Sequence, residues 1–322
     1  LTEMYGPVLG DLSFLPKNLY GNWSTKINID GGLTPEKIRV NGRFFGKNNL
    51  IYDESFDEIV FDYSFIDKNL LFKNFSASKN TGKIFGGFSY GIESENIDIW
   101  GNISNIPLTD INNYTKLPLS LVGNLNGLIK ASITPKEKLM TSEFYISKSS
   151  VNNRKVYDSH LKVDLKNDDI KIKASVLGEQ IKLDSFISLK DTNLNNSFVK
   201  TNVDVKSLNE IFSVFSFVDN INNGFEGEIK FKNKTEFNIK KFEQFNNRLT
   251  FERLVLKKDK VNVDFSSKVG VSQIVVEKGR IKNWDLDIRG SKFTLLSKGE
   301  GEIAKDYNIS SKIKFDASLL EV

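Results

Sequence analysis

The sequence predicts a mostly β protein, a long curved antiparallel meander that forms an open hydrophobic groove (a half-pipe, or β-taco), with one or two short helices. Three observations lead to this prediction. Apolar residues alternate with polar ones along most of the 322 residues, as in strands with one apolar and one wetted face. The composition, with 25 Phe and 6 Pro, favours sheet over helix. Two stretches of the chain also repeat each other.

The strands are predicted from this alternation and from the turn residues between the runs. Ile59, Phe61, Tyr63 and Phe65 form one such run, and Lys166–Asp169 is a typical hairpin turn between two others. Counting the runs gives about 20 strands, and open sheets of more than about 10 strands tend to curl, split or close. Curling would bring the apolar face inside, giving a closed barrel or an open trough. The alternation fades over 136–156, which leaves the register there open.

The repeat has an offset of one hundred residues. Ile103, Leu108 and Ile111 match Val203, Leu208 and Ile211, and the same gapless alignment pairs Gly127 with Gly227. It gives approximate repeat units of 96–195 and 196–295. We therefore expect residues 1–322 to be a single extended, repetitive β-groove segment.

Two segments break the alternation. After Ser207, a possible N-cap, apolar residues follow at helical spacing and predict a short amphipathic helix. Its counterpart between Pro107 and Pro118 should be a shorter helix or an irregular turn. The first of these helices is expected to cover the apolar face with Leu208, Ile211, Phe212 and Phe215.

Charge and composition narrow the function classes. The chain carries 45 basic and 41 acidic residues, interleaved throughout, with a net charge of +4, so nucleic acid is not an expected partner. The absence of cysteine removes disulfides, thiolate metal sites and thiol catalysis. No run reaches the roughly 18 apolar residues of a membrane-spanning helix. Because the chain begins with Leu1, we expect a piece of a larger protein whose signal or anchor lies elsewhere.

No catalytic, metal or cofactor site is predicted, and we expect a protein that is not an enzyme. His160 is the only histidine and, without a Gly-x-Ser-x-Gly motif, is expected to be a solvated strand residue. The glycines at 86–87 and 299–301 lack the lysine and the helix of a phosphate loop, so they predict strand bends or bulges. The three tryptophans could form a sugar platform or could be buried sheet residues; they are Trp23, Trp100 and Trp284.

The apolar face is the feature of the sequence that indicates a function. In a sandwich it would be core, but the meander is long and no second set of strands is available to cover it. A face that is left uncovered is normally a binding surface.

The order of these signals resembles the bacterial AsmA-like superfamily, and within it the TamB-type envelope proteins. The residues that carry the resemblance are the strand 97–103, the segment Pro107–Ile111 and the Gly-containing hairpin 122–127. The closing stretches 277–290 and 299–303 are similar to the glycine-punctuated strands near the end of AsmA-type domains.

The resemblance implies an inner-membrane-anchored protein that crosses the periplasm of the bacterial cell envelope as a β-sheet groove and carries phospholipid to the outer membrane. It also implies an Omp85-type outer-membrane barrel as partner. Drawing two 16-carbon chains into water would cost roughly 25 kcal/mol at about 0.8 kcal/mol per methylene. A groove that holds phospholipid acyl chains lowers that barrier. The expected groove lining is Ile99, Ile129, Ile133, Val163, Ile172, Val176, Val203, Ile229, Phe231, Val263 and Phe265.

Two other functions are compatible with the same pattern. An outer-membrane β-barrel would have a lipid-facing apolar band flanked by aromatic girdles, whereas here the aromatic residues are spread along the strands. A β-sandwich or solenoid adhesion module would have a filled, dry core.

Overall fold

The fold is described from a computed structural model. The described residues are 19–32, 37–51, 54–109, 121–151, 154–190, 196–209, 225–241, 244–258, 261–266, 272–289, 293–302 and 307–315.

Within these ranges the chain is nearly all antiparallel β-structure, with almost no helix. The strands of the first half are β1 Leu19–Asp30, β2 Arg39–Ile51, β3 Glu54–Ile66, β4 Asn69–Lys79, β5 Gly82–Gly91, β6 Ile97–Pro107, β7 Leu121–Ile133, β8 Lys138–Val151, β9 Arg154–Lys155 and β10 Ser159–Lys166. Those of the second half are β11 Asp169–Val176, β12 Ile181–Ser188, β13 Ser197–Val205, β14 Phe225–Phe237, β15 Asn246–Lys258, β16 Val261–Ser266, β17 Gln273–Glu277, β18 Arg280–Arg289, β19 Phe293–Glu302 and β20 Tyr307–Phe315.

The chain divides into two compact units. The first contains Leu1–Pro107 and Leu125–Lys138, and the second contains Leu108–Asn124 and Leu139–Val322. In the first unit, β1 to β6 pair in sequence order, each antiparallel to the next. In the second, β8 pairs with β10, and the ladder then continues in order to β15. Strand β15 pairs with both β16 and β17, and β17 leads on to β18, β19 and β20.

The predicted antiparallel meander is therefore confirmed for these ladders. The order follows from the short turns, because strands joined by a few residues can reach only an antiparallel neighbour. The turn between β10 and β11 shows the local reason, since Asn167 has a φ of 54° and asparagine tolerates this left-handed conformation better than most residues.

Cross-strand pairing gives each unit two chemically different faces. In the second unit Val163 pairs with Ile172, and the neighbouring Lys162 pairs with Lys173. Successive side chains of a strand point to opposite faces and paired residues share one, so the two sets separate. We call the side of Val163 the apolar face and the side of Lys162 the polar face.

Three β-bulges lie where the apolar alternation of the sequence slips by one residue. In β15, Phe251 and Leu254 are three positions apart, yet they pair with Phe231 and Ile229, which are two apart. The same slip occurs between Phe72 and Phe75 in β4 and between residues 281 and 284 in β18. A bulge places two residues opposite one, so each bulge returns the following apolar residue to the face of the apolar residue before it.

The second unit buries a small core on its apolar face. Val203, Val205 and Leu208 are 7%, 1% and 6% exposed, and half-buried residues of β12, β14 and β15 pack against them. In the first unit an aromatic row crosses the strands. It runs from Trp23 through Phe44, Phe61 and Phe72 to Phe88, with ring centroids 4.6–6.0 Å apart.

Within the described residues, α-helix is found only at the starts of the two segments predicted to be helical. Leu108–Thr109 and Leu208–Asn209 are helical, and residues 110–120 and 210–224 lie outside the described residues. No helix in the described part of the chain is long and apolar enough to cross a membrane.

The extra residue of the β15 bulge is a carboxylate held by two lysines, which makes fold stability depend on pH. Glu252 is 12% exposed, and its oxygens lie 2.5 Å from Lys232 Nζ and 3.3 Å from Lys230 Nζ. The hydrogen bond from Lys232, followed by that from Lys230, lowers the pKa of Glu252. A lowered folded-state pKa stabilises the fold above the ordinary carboxyl pKa, and this contribution is lost as the pH falls through the folded-state pKa.

We therefore expect Glu252→Gln to reduce the free energy of unfolding by about 1 kcal/mol at neutral pH, because both lysines remain partly solvated. The difference from wild type should shrink as the pH falls below about 4. Urea unfolding at neutral pH and below about pH 4 measures this difference in the free energy of unfolding. Glu300→Gln, at an exposed residue, is the control. An equal loss at both pH values would rule out the ion pairs as its source.

Candidate functional site

The apolar face of the second unit brings together the predicted groove residues. Val163 pairs with Ile172, and Val203 pairs with Phe231. Val176 reaches Val203 through Ile181, which pairs with both. Ile229 pairs with Val205 and lies on the same side as Phe231. The register therefore places these six predicted residues on one face, although they come from β10, β11, β13 and β14.

Their exposure varies along this face. Val203 is 7% exposed and belongs to the core cluster, whereas Val163, Ile172, Ile229 and Phe231 are half-buried. Val176 is 40% exposed. The face is thus closed around Val203 and accessible towards Val176.

The other predicted lining residues lie in β16 and in the first unit. In the ladder Val263 pairs with Leu256 and Phe265 with Leu254. The remaining three belong to the first unit. Ile99 is 39% exposed and pairs with Phe88 of the aromatic row, while Ile129 and Ile133 are half-buried on one side of β7.

The predicted covering segment contributes one described residue. Leu208 packs on Val203 and Val205, and its Cδ1 lies 3.1 Å from the position a Cβ would take on Gly227. The other predicted covering residues lie outside the described part of the chain; these are Ile211, Phe212 and Phe215.

The first repeat contains an equivalent contact. Leu108 is 8% exposed, and its Cδ1 lies 3.2 Å from the Cβ position of Gly123. Gly123 is the third residue of β7, as Gly227 is the third residue of β14. Both leucines therefore lie against a glycine, where a Cβ would be in tight contact with the leucine, and at Gly227 a Cβ would also come within 2.0 Å of the Val255 carbonyl oxygen.

This contact corrects the gapless alignment of the repeat. The sequence pairs Gly127 with Gly227, but the structure makes Gly123 the equivalent of Gly227. The strands β7 and β14 both contain 13 residues, so the second repeat carries a connection four residues longer between its leucine and its next strand. Period-two alternation hides this difference, because a shift of four residues preserves the face of every side chain.

His160 lies on the polar face in a three-residue cluster. Its Nε2 is 2.9 Å from Glu143 Oε1, and its ring stacks on Tyr145 with centroids 4.4 Å apart. Tyr145 donates a hydrogen bond of 2.7 Å to the same carboxylate oxygen. That bond, with a smaller contribution from His160, lowers the pKa of Glu143, and it raises the pKa of Tyr145.

The cluster does not resemble a nucleophilic triad. Glu143 already accepts both bonds, and no serine of the described residues forms a hydrogen bond with His160. No group of three or more His, Cys, Asp or Glu residues in the described ranges could hold a metal ion.

The glycine motifs lie within strands, and the bulges next to them are in the neighbouring strands. Gly86 pairs with Phe75 in β4, and Gly299 and Gly301 flank the bulge of β18. The Trp284 ring covers Gly299, with Cγ 3.2 Å from the Cβ position of that glycine.

The tryptophans form no common platform. In the first unit Trp23 is on the side of Ile103, and Trp100 points to the opposite side. Trp284 belongs to the second unit, where its indole Nε1 donates a hydrogen bond to Ser297.

Surface depressions are present on the polar face of the second unit. One of about 1010 Å³ is lined by residues of β14, β15, β17, β18 and β19, and another of about 780 Å³ extends from β10 to β15. Most of their lining side chains are on the polar side of the ladder. The alternation of apolar residues in the sequence does not indicate them.

Comparison with known proteins identifies no relative. No protein-family model matches the chain, and neither a curated protein nor a solved structure does. The resemblance to TamB-type proteins therefore remains a likeness of sequence pattern.

The contact of Leu208 with Gly227 should matter for stability. Truncation of a buried leucine leaves a cavity, so Leu208→Ala should lower the free energy of unfolding by about 3 kcal/mol. Leu161→Ala, at a leucine that is 37% exposed on the same face, should cost less than about 1 kcal/mol. Denaturant unfolding measures both, and equal losses would contradict a specific role for the contact.

The Tyr145 hydroxyl should control the ionisation of Glu143. Tyr145→Phe removes the hydrogen bond that contributes most to the lowered pKa, so the pKa of Glu143 should rise towards its ordinary value. Carboxyl-carbon NMR titration measures the change. Tyr90→Phe, a tyrosine of the first unit, provides the control. An unchanged midpoint for Glu143 would show that Tyr145 does not set it.

Proposed function

We propose that this chain is a non-enzymatic lipid-binding segment, part of a TamB-type conduit that carries phospholipid across the periplasm between the inner and outer membranes. The half-pipe, the cell-envelope location and the Omp85-type barrel partner belong to the same proposal. The chain would bind acyl chains along the apolar face and would leave the headgroups in water.

The observation that supports the proposal best is the continuity of the apolar face in the second unit. The ladder from β8 to β20 crosses strand after strand without a change of face, over a distance on the order of 50 Å at about 4.8 Å per strand. Apolar residues at both ends of this face are 36–57% exposed; they are Leu161 and Val176 near one end, and Ile309 and Ile313 on the last strand. Exposed apolar residues at both ends of one face suit a ligand that is long and apolar.

Energetics favour an acyl chain as this ligand. Each methylene removed from water contributes about 0.8 kcal/mol, and apolar contacts have no directional requirement. A face of this kind would therefore hold hydrocarbon chains of different lengths with little selectivity and would allow them to slide. Efficient transport requires such weak and repeated binding.

The placement of the charges is compatible with this role. The ion pairs of β14 and β15 lie on the polar face, including those of Lys230 and Lys232 with Glu252. Ile172 and Phe231 pair across the ladder with uncharged residues, Val163 and Ser185 for the first, Val203 and Phe251 for the second. A bound acyl chain on this side would meet no buried charge at these positions.

A charge on the apolar face should abolish lipid binding. Ile172→Asp and Phe231→Arg place a charge where the acyl chain would lie, and desolvating that charge is unfavourable. We expect at least a tenfold loss in the affinity for a fluorescent phospholipid and in the lipid recovered by mass spectrometry of organic extracts.

The matched control is Lys171→Asp, at the exposed residue next to Ile172 on the opposite face. It introduces the same carboxylate into the same strand and should leave lipid binding unchanged. Circular dichroism confirms that each variant is folded. Lipid binding that survives in both apolar-face variants would exclude the proposal. A purified wild-type chain that neither carries nor binds lipid would favour a structural module.

A further inference from the structure

The depression of about 780 Å³ on the polar face has a chemistry unlike that of the apolar face. It extends over β10 to β15, and its lining includes seven basic side chains but only two acidic ones, Glu179 and Asp184. We propose that it binds a soluble small molecule that carries several phosphate groups. This site is separate from the proposed lipid-binding face, because its charged side chains project from the other side of the same strands.

The basic residues are arranged in a row by the register of the ladder. Lys173 pairs with Asp184, Asp184 with Lys200, Lys200 with Lys234, and Lys234 with Arg248. Paired residues share a face, and neighbouring strands are about 4.8 Å apart. The row therefore presents positive groups at intervals of about 5 to 10 Å across the floor of the depression.

Four of the seven basic residues are already partnered. Lys162 and Lys234 form ion pairs with acids on their own strands, Asp164 and Glu236. Lys182 pairs with Glu179 of the preceding turn. The fourth, Lys232, pairs with Glu252.

The other three are not neutralised within the described residues. Lys173, Lys200 and Arg248 have no carboxylate within 4.0 Å in that part of the chain, and Asp184 is the acid that lies between them in the row. The Lys200 ammonium is 4.6 Å from the centre of the Phe198 ring, which restrains the side chain without cancelling its charge. Three cations beside one carboxylate leave an excess of about two positive charges.

The excess positive charge favours a ligand with several negative groups. A single negative group would neutralise only part of it, whereas a ligand with two or more phosphates could contact Lys173, Lys200 and Arg248 together. Arginine binds phosphate through paired N–H donors, and lysine binds it as a point charge.

The shape of the site selects a small molecule. Its volume is within the range of about 300 to 1,000 Å³ that is usual for small-ligand pockets. A flat bilayer could not enter a depression. A nucleic acid strand that continued along β10 or β14 would meet Asp164 and Glu236, which are on the same face as the row.

The test uses inorganic triphosphate as the probe and isothermal titration calorimetry at physiological salt. We expect saturable binding to the wild-type chain, binding at least tenfold weaker for monophosphate, and affinity that falls as salt rises. The triple variant Lys173→Gln, Lys200→Gln, Arg248→Gln should lose at least tenfold in affinity, and Lys200→Gln alone should lose a smaller amount in the same direction.

The control removes the same total charge elsewhere on the chain, at exposed lysines outside the depression, by Lys83→Gln, Lys312→Gln and Lys314→Gln. It should change affinity less than twofold. Three results would overturn the proposal. They are no saturable binding by the wild type, equal losses in the two triple variants, and binding of a DNA oligonucleotide without binding of triphosphate. Lipid binding should be unaffected by the depression variants, so the two proposals fail independently.

Discussion

The structure depends on keeping apolar residues in phase across a long antiparallel ladder. In a strand every second side chain points to the same face, so a slip of one residue would move every following side chain to the opposite face. In this chain the alternation does slip, between Phe251 and Leu254 for example, and a bulge lies at that point. The bulge takes up the extra residue, Glu252, and Leu254 returns to the face of Phe251. The separation into two faces is thus maintained by a few irregular positions as well as by the regular strands.

Because the two faces are separate, one sheet can present two chemistries. Neighbouring residues such as Ile172 and Lys173 belong to different proposed sites, although a single peptide bond joins them. Apolar contacts on one side have no directional requirement, whereas charge on the other side is discrete and acts through particular side chains. A substitution can therefore change one surface while the backbone ladder that supports both is retained.

The sequence is sufficient to predict antiparallel β-structure, the approximate number of strands and the common face of residues such as Val163 and Phe231, because alternation is a local signal. It did not predict the row of Lys173, Lys200 and Arg248, since those residues come from three strands and only the register brings them together. Interleaved acids and bases along the chain suggested that no region was strongly basic. Within the described residues the structure pairs acids with particular lysines, such as Glu252 with Lys232, whereas Lys173, Lys200 and Arg248 form no such pair.

The repeat shows a second limit of prediction from alternation. Alternation allows two strands to be aligned with any even offset, so Gly127 and Gly123 were equally acceptable partners for Gly227. A contact that requires one particular residue resolves the ambiguity. A leucine side chain packs most closely on the backbone where the partner has no Cβ, and Leu108 and Leu208 lie against Gly123 and Gly227. In a sheet built from a period of two, the irregular residues therefore fix the register, and the glycine beneath each leucine is a better marker of equivalent positions than the strands themselves.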